Sequence, residues 1–124
     1  MIRGVGIDLI EVERVRRAAG KESFLRRVFT EQERDYYTQQ RDNPQTLAGI
    51  FAAKEAVAKA LSTGFAEGVC WQEIEICHRE SGQPYIRLTG GAKEQLDRLG
   101  GTRVHVSISH IKSMAVAQAV IEDA

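Results

Sequence analysis

Two carboxylates, Asp8 and Glu55, stand in segments that are otherwise apolar or small, where an unpaired charge is costly. Asp8 lies in the extended run IRGVGIDLI and faces the same side as Gly4 and Gly6, which we expect to leave open space around it. Glu55 lies in the run FAAKEAVAKA. If these segments pack together, the two carboxylates can join water and phosphate oxygens in the octahedral oxygen shell that Mg²⁺ prefers. The alternatives are a helix cap for Asp8 and a surface ion pair between Glu55 and Lys59.

Three further side chains could act on a phosphate near such a metal. Lys54 and Lys59 flank Glu55 on the same predicted helix and would add positive charge for a diphosphate. His110 ends the run VSISH and is a candidate donor to a phosphate or to a reacting hydroxyl, with a hydrogen-bonded strand terminus as the alternative. No pair among the three histidines has the i, i+4 spacing of a helical zinc site, so the sequence does not predict zinc.

The segment 14–27, called the basic segment below, is rich in positive charge on a neutral protein. Its only acidic residue is Glu22, and its basic residues are Arg14, Arg16, Arg17, Lys21, Arg26 and Arg27. Arg14, Arg17 and Lys21 would form one stripe if a helix continued past Gly20. Such a stripe suits docking of an acidic protein surface, and a solvated helical face is the alternative.

Composition limits the classes of function. The chain has 124 residues, 43% hydrophobic and 27% charged, with zero formal net charge, which suits one domain over residues 1–124. The neutral charge and the 6% of aromatic residues argue against nucleic acid or an anionic membrane as a partner. We find no apolar run of signal-peptide or membrane-span length, and Cys70 and Cys77 lack metal or redox spacing. We therefore expect a cytoplasmic protein with reduced thiols.

The elements that must position these residues follow from hydrophobic periodicity. In chain order we predict a strand over 2–10, two or three short helices over 11–40, a long helix over 45–64, a hairpin over 74–90, an amphipathic helix over 91–100 and two strands over 104–122. The run TEQE predicts a capping box between Thr30 and Glu33. The alanines of the long helix would allow close approach of another backbone, so we place this helix centrally against the sheet. The predicted fold class is α+β, with a mostly antiparallel sheet packed on a long central helix.

Three sequence blocks resemble one enzyme family: GVGIDLIEVERV at 4–15, FAAKEAVAKALSTG at 51–64 and VSISHIKSMAVAQAVIE at 106–122, with GQPYI at 82–86 between the second and the third. The pattern F-x-x-K-E-[SA]-x-x-K around Glu55, combined with G-I-D ending at Asp8, is more specific than any single residue. These blocks are similar to those of the holo-acyl-carrier-protein synthases, the small trimeric branch of the 4′-phosphopantetheinyl transferase superfamily. The resemblance implies the fold of that superfamily.

The resemblance also implies a reaction. In it, 4′-phosphopantetheine passes from coenzyme A to a serine of apo-acyl-carrier protein, with release of adenosine 3′,5′-bisphosphate. Asp8 and Glu55 resemble the Mg²⁺ ligands, and Lys59 resembles the lysine that contacts the phosphates and assists the leaving group. A water on the metal, Asp8 or Glu55 could activate the serine hydroxyl. The choice between Mg²⁺ and Mn²⁺, and between carrier proteins of fatty-acid synthesis and of other assembly lines, stays open.

The family further implies a shared site and a partner. His110 matches the histidine of the coenzyme A pocket, so the implied catalytic residues are Asp8, Glu55, Lys59 and His110. Besides His110, the expected coenzyme A contacts are Lys54, Lys59, Gly64, Pro84, Ser107 and Ser109. In the family the site lies between subunits of a trimer, so His110 and the carboxylates would come from different chains. The docking residues for an acidic carrier-protein helix would be Arg14, Arg17, Lys21 and Arg27.

Two residues depart from the family pattern. Ile50 stands where many relatives carry an arginine that can contact a coenzyme A phosphate. Either another basic residue, such as Lys54 or Arg87, substitutes for it, or the affinity for the nucleotide is lower. Ile111 follows His110, where some relatives have an acid that could orient the histidine. The alternative functions are a non-catalytic module that binds an acidic protein through the basic segment, and a different coenzyme A or nucleotide-diphosphate enzyme on the same fold.

Overall fold

The computed structural model describes residues 1–123 and arranges them in ten helices and strands and one 3₁₀ turn. In chain order these are β1 (Ile2–Glu11), α1 (Val12–Ala18), α2 (Glu22–Val28), α3 (Glu31–Gln39), α4 (Pro44–Ala60), the 3₁₀ turn (Trp71–Glu73), β2 (Ile74–His78), β3 (Pro84–Leu88), α5 (Gly90–Arg98), β4 (Arg103–His110) and β5 (Met114–Glu122). The predicted order of elements and the α+β class are confirmed. None of the described helices is long and apolar enough to cross a membrane.

The strands form two antiparallel sheets. The larger has the order β1-β5-β4, and β2 and β3 form a separate hairpin. In the larger sheet Ala117 of β5 pairs with Asp8 of β1 on one side and with Ile108 of β4 on the other. Asp8 and His110 therefore lie on the two opposite edge strands of this sheet.

Helix α4 crosses the larger sheet in contact with its backbone. A Cβ atom on Gly6 would lie 1.9 Å from the carbonyl oxygen of Ala56, and one on Gly4 would lie 2.1 Å from that of Ala60. Only glycine permits such an approach, because any side chain would overlap the helix. The expectation of open space beside Asp8 was therefore wrong: the space is filled by α4, which the alanines bring close to β1.

The apolar face of β1 points away from α4. Val5, Ile7 and Leu9 are 63%, 63% and 61% exposed, although alternation places them on one side of the strand. Val116 and Val120, on the neighbouring strand β5, pair with Leu9 and Val5 and are half-buried. The larger sheet thus has one face packed on α4 and one face that the described residues leave uncovered, which is apolar along β1 and at Val116 and Val120 of β5.

The helical ends follow the predicted local signals. Thr30 and Glu33 form the capping box of α3, with the Glu33 amide donating to the Thr30 hydroxyl at 3.2 Å. Helix α4 begins after Asn43, whose side chain accepts a hydrogen bond from the Gln45 amide at 2.9 Å, and Pro44 occupies its first turn. These caps satisfy backbone amides at the amino-terminal ends of α3 and α4.

The basic segment does not form one helix. Helix α1 ends at Ala18, Lys21 has an extended backbone with φ −104° and ψ 121°, and α2 begins at Glu22. Gly20 lies in the turn between them, where it favours termination over continuation of a helix. The single stripe of Arg14, Arg17 and Lys21 required a helix that continues past Gly20, and the structure does not meet this condition.

Candidate active site

Asp8 and Lys59 meet where β1 lies against the carboxyl-terminal half of α4. The Lys59 ammonium donates to Asp8 Oδ1 at 3.1 Å and to the carbonyl oxygen of Ile7 at 3.0 Å. The Asp8 side chain is 15% exposed, whereas that of Lys59 is 50% exposed. Lys59 therefore holds Asp8 in place while keeping enough freedom to turn toward an incoming anion.

Glu55 lies one helical turn before Lys59 on the same side of α4. Its pKa is raised, first by partial burial and then by the negative charge of Asp8, while the Lys59 ammonium acts in the opposite direction. Two neighbouring carboxylates thus repel each other at neutral pH. A cation between Asp8 and Glu55 would relieve this repulsion.

The donor set of this pair fits magnesium. Carboxylate oxygens are hard ligands, and Mg²⁺ in proteins is commonly held by one or two carboxylates together with water and substrate phosphates. Residues 1–123 contain no group of three or more His, Cys, Asp or Glu side chains arranged for a metal. Asp8 and Glu55 are therefore suited to a metal that also binds substrate, rather than to a closed structural site.

His110 lines a cavity of about 170 Å³ between α3, α4, β4 and the hairpin. One wall is a stacked pair of rings, Tyr36 and His78, whose centroids are 3.8 Å apart. Burial lowers the pKa of His78, so its ring favours the neutral form. Pro84 also lines this cavity, and none of its lining residues is a lysine or an arginine; the others are Gln45, Thr46, Gly49, Ile50, Gly82 and Ile108.

The two groups of residues do not meet within one chain. Asp8, Glu55 and Lys59 lie at the β1 edge of the larger sheet, and the His110 cavity lies at the β4 edge. Strand β5 separates them. One chain therefore presents two partial sites.

The remaining expected coenzyme A contacts are dispersed. Pro84 lies beside His110, but Ser107 and Ser109 are exposed on the face of the sheet opposite α4, next to Ile7 in a shallow depression. Gly64 lies in the turn after α4 with φ +58°, a backbone conformation that favours glycine. The structure thus groups Pro84 with His110 in the cavity, places Ser109 beside His110 on the opposite face of the sheet, and leaves Ser107 and Gly64 outside both.

Lys54 does not face a substrate. Its side chain is 0% exposed, and its ammonium donates to Glu33 Oε1 at 2.8 Å inside the core. The expectation that Lys54 contacts coenzyme A was therefore wrong, because its ammonium forms an ion pair with Glu33 inside the core. Arg87 does not replace the missing arginine at Ile50 either, since it pairs with Glu75 and does not line the His110 cavity.

The basic segment keeps a positive surface despite its break. Glu13, one residue before the segment, pairs with Arg16 and with Arg17, and the Arg16 guanidinium lowers the pKa of Glu13 to about 2. Among the described residues no acidic side chain pairs with the three exposed cations Arg14, Lys21 and Arg27. Three of the four predicted docking residues are thus free to meet an acidic surface.

Comparison with known proteins assigns the chain to a family. The sequence profile of the 4′-phosphopantetheinyl transferase superfamily matches residues 4–118, which is most of the chain. The chain belongs to this superfamily. The resemblance predicted from the sequence blocks is thereby confirmed.

Relatives of this transferase agree over its whole length. The holo-[acyl-carrier-protein] synthase of Caldicellulosiruptor bescii is 48% identical over 122 residues, which cover 98% of this chain and 99% of that protein. That of Clostridium perfringens (strain 13 / Type A) is 46% identical over 127 residues, covering 98% of this chain and 95% of that protein. Both alignments therefore include the strands and helices that carry the candidate site.

Solved structures of such synthases have the same fold. The enzyme from Neisseria meningitidis superposes with a TM-score of 0.88 at 33% identity, covering 99% of this chain and 100% of that one. The enzyme from Bacillus anthracis, in complex with CoA (3′,5′-ADP), superposes with a TM-score of 0.83 at 36% identity, covering 100% and 99%. The phosphopantetheinyl transferase fold predicted from the sequence is confirmed by these superpositions.

Sequence reasoning missed three residues of this transferase that the structure places near the candidate site. Glu33 was recognised only as a capping residue, although it is buried and bonded to Lys54. Tyr36 and His78 form the wall of the His110 cavity. A sequence signal existed for two of them: Tyr36 shares a helix face with Glu33, and His78 shares a strand face with the buried Ile76.

Proposed function

We propose that this protein transfers 4′-phosphopantetheine from coenzyme A to a serine hydroxyl of apo-acyl-carrier protein, releasing adenosine 3′,5′-bisphosphate. The observation that carries the proposal is the pairing of Asp8 and Glu55 beside Lys59, on a scaffold shared with holo-[acyl-carrier-protein] synthases. Two carboxylates and a lysine suit a diphosphate that needs a cation. The two free thiols, Cys70 and Cys77, are compatible with a reaction in the reducing cytoplasm.

The chemistry is a displacement at phosphorus. The serine oxygen forms a bond to the phosphorus that carries pantetheine, and the bond from that phosphorus to the bridging oxygen breaks, so the electron pair leaves with the nucleotide. Asp8 and Glu55 would hold Mg²⁺, which when bound neutralises charge on the diphosphate. Lys59 is half-exposed and would move its ammonium toward the leaving oxygen. The carboxylate oxygens of Asp8 and Glu55 are candidate acceptors of the serine proton.

Coenzyme A would span both partial sites. Its diphosphate would lie at Asp8, Glu55 and Lys59, and its nucleotide end would enter the His110 cavity beside Pro84, with Gly64, Ser107 and Ser109 as further contacts. This assignment is supported by the complementary content of the sites: one has the metal-binding carboxylates, and the other has the stacked rings and hydrogen-bonding groups.

The complete site would lie between subunits of a homotrimer. Two observations support this proposal: the partial sites lie on opposite edges of the sheet, and the apolar face around Ile7 is uncovered. An exposed, contiguous apolar surface on a sheet is typical of an interface between chains. The His110 cavity of one chain would then face the carboxylates of its neighbour.

We expect Leu9→Lys to weaken self-association by about 10²-fold or more, because a lysine at the centre of an apolar interface would be left unpaired. Sedimentation velocity would show a lower mass, and transfer activity would fall with it. Tyr85→Lys is the matched control, since Tyr85 is an exposed aromatic residue on the other sheet. Unchanged mass and activity for Leu9→Lys would contradict the proposed interface.

The carrier protein would dock on the exposed cations Arg14, Arg17, Lys21 and Arg27. We expect Arg14→Glu to raise the KM for carrier protein about tenfold and to reduce its salt dependence, with little change in the KM for coenzyme A. Steady-state kinetics at two ionic strengths measure both effects. Arg98→Glu, on α5, is the control and should leave both values unchanged. Equal changes in the two KM values for Arg14→Glu would count against docking there.

The reaction itself is tested by intact-mass spectrometry. Apo-acyl-carrier protein is incubated with this protein, coenzyme A and Mg²⁺, and with EDTA in a parallel sample. A mass increase of one phosphopantetheine that disappears with EDTA would support the proposal. No increase with several carrier proteins would favour the non-catalytic binding module, and coenzyme A turnover without carrier protein would favour a different nucleotide-diphosphate enzyme.

A further inference from the structure

A buried ion pair lies directly behind the candidate metal site. Lys54 immediately precedes Glu55 in α4, yet its ammonium contacts Glu33 of α3, and both side chains are 0% exposed. The same ammonium donates to the carbonyl oxygen of Ile74, at the start of β2, at 2.5 Å. The pair therefore connects α3, α4 and the hairpin inside the core.

The Glu33 carboxylate has a partner for each oxygen. Oε1 accepts from Lys54 and from the Thr30 amide at 2.8 Å, and Oε2 accepts from the Ile76 amide at 2.8 Å. Burial raises the pKa of Glu33 and lowers that of Lys54, while each charge opposes the shift of the other. A buried ion pair often stabilises a fold no better than apolar residues of the same volume, but its directed bonds permit one arrangement. The pair is therefore suited to fixing geometry.

We propose that Lys54 and Glu33 are positioning residues, whose buried ion pair fixes the rotation of α4 and so directs Glu55 toward Asp8. Successive residues of an α-helix project about 100° apart. Anchoring Lys54 toward α3 and β2 therefore turns Glu55 away from them, toward the edge of β1. This inference rests on the proposed function for its consequence in catalysis.

The same ion pair relates the two partial sites. The hairpin that begins at Ile74 carries His78 and Pro84 of the His110 cavity, and α4 carries Glu55. Both are held by the Lys54 ammonium. A misplacement of about 1 Å at reacting groups can cost about 10²-fold in rate, so loosening this anchor has a large expected effect.

The test compares Lys54→Met with Leu96→Ala. Methionine keeps an unbranched chain but removes the ammonium, whereas Leu96 is a buried core residue of α5, outside both partial sites. Both variants are assayed with Mg²⁺, coenzyme A and carrier protein, well below their unfolding temperatures. We expect Lys54→Met to lower kcat by about 10²-fold with the KM for carrier protein within about twofold of the original, and Leu96→Ala to leave kcat within about twofold.

A second measurement does not depend on turnover. Gly6 touches the backbone of α4 at Ala56, so its amide resonance in ¹H–¹⁵N spectra reports the position of the helix. We expect this resonance to shift in Lys54→Met and to stay in place in Leu96→Ala. If Lys54→Met does not fold, Glu33→Gln replaces it, since the amide keeps the shape of the carboxylate while removing its charge.

Each outcome decides a different question. Equal kcat values for Lys54→Met and Leu96→Ala, with an unmoved Gly6 resonance, would overturn the positioning role. A loss confined to a raised KM for coenzyme A would also overturn it, because it would indicate direct contact between Lys54 and substrate. An original protein that modifies no carrier protein would refute the proposed function, and the Gly6 resonance would still test whether the ion pair sets the position of α4.

Discussion

Glu55→Gln should lower kcat/KM for phosphopantetheine transfer by about 10³-fold, which corresponds to about 4 kcal/mol of lost transition-state stabilisation. The amide keeps the size of the side chain but removes one of the two anionic ligands that Asp8 and Glu55 would offer to Mg²⁺. The expected loss is large because no third acidic, histidine or cysteine ligand stands nearby among residues 1–123. Steady-state kinetics at saturating carrier protein measure the effect.

The same substitution should leave the fold as stable as before or slightly more stable. Burial and the charge of Asp8 raise the pKa of Glu55, so the folded protein binds a proton there more tightly than the unfolded chain does. The ionised carboxylate therefore opposes folding as the pH rises through and above its ordinary range. Removing its charge relieves this cost at neutral pH, so the unfolding temperature should not fall.

Glu94→Gln is the matched control for Glu55→Gln. Glu94 is an exposed helical glutamate with a basic partner, Arg98, at i+4, as Glu55 has Lys59. It should change neither transfer nor stability. Full activity of Glu55→Gln would refute the metal-binding assignment, and a large drop in its unfolding temperature would indicate that Glu55 supports the fold instead.

Gly6→Ala should destabilise the protein by about 3 kcal/mol or more, close to a 10 °C fall in unfolding temperature. The added Cβ would lie 1.9 Å from the carbonyl oxygen of Ala56, a backbone atom that moves only if α4 moves. Urea unfolding at a fixed protein concentration measures the change, since self-association would contribute to stability. Transfer should fall as well, because Asp8 and Glu55 lie on the two elements pushed apart.

Gly20→Ala controls for the loss of a glycine as such. A Cβ on Gly20 would lie 3.2 Å from the carbonyl oxygen of Arg17, a contact that a small shift of the turn relieves. We expect a change within about 0.5 kcal/mol. Equal stability of Gly6→Ala and Gly20→Ala would contradict the close approach of helix and strand.

Local signals predicted much of this fold. The capping box at Thr30 and Glu33 and the prolonged alanine-rich helical pattern both place their elements correctly, because the interactions involved span only a few residues. The hairpin around Pro84 follows from alternation and a turn, which are equally local. The strongest predictions were thus those that needed no partner from elsewhere in the chain.

Other features depended on distant parts of the chain. Alternation in β1 correctly separated Ile7 from Gly6 but did not show that the glycine side faces the core, because this depends on where α4 lies. Lys54 was interpreted as a phosphate ligand because it flanks Glu55. Its actual partner, Glu33, is 21 residues away along the chain, and no local pattern shows that pairing.

The candidate site was predictable in its residue types but not in its arrangement. Asp8, Glu55 and Lys59 could be selected because charges in apolar runs are unusual, and the structure brings Asp8 and Lys59 within hydrogen-bonding distance. The separation of His110 from them follows from the strand order β1-β5-β4, which no local pattern contains. Before the structure, only the family resemblance implied that His110 and the carboxylates lie apart.

The contact of Gly4 and Gly6 with Ala56 and Ala60 has a consequence for thermal motion. These residues have no rotatable side chains, so their burial loses no rotamer entropy and their contact cannot loosen through rotamer exchange. Contacts between larger core side chains can loosen on warming through a change of rotamer. This contact can loosen only if the backbone of α4 moves away from that of β1. The distance between the backbone of β1 at Asp8 and that of α4 at Glu55 should consequently vary little with temperature until the protein unfolds.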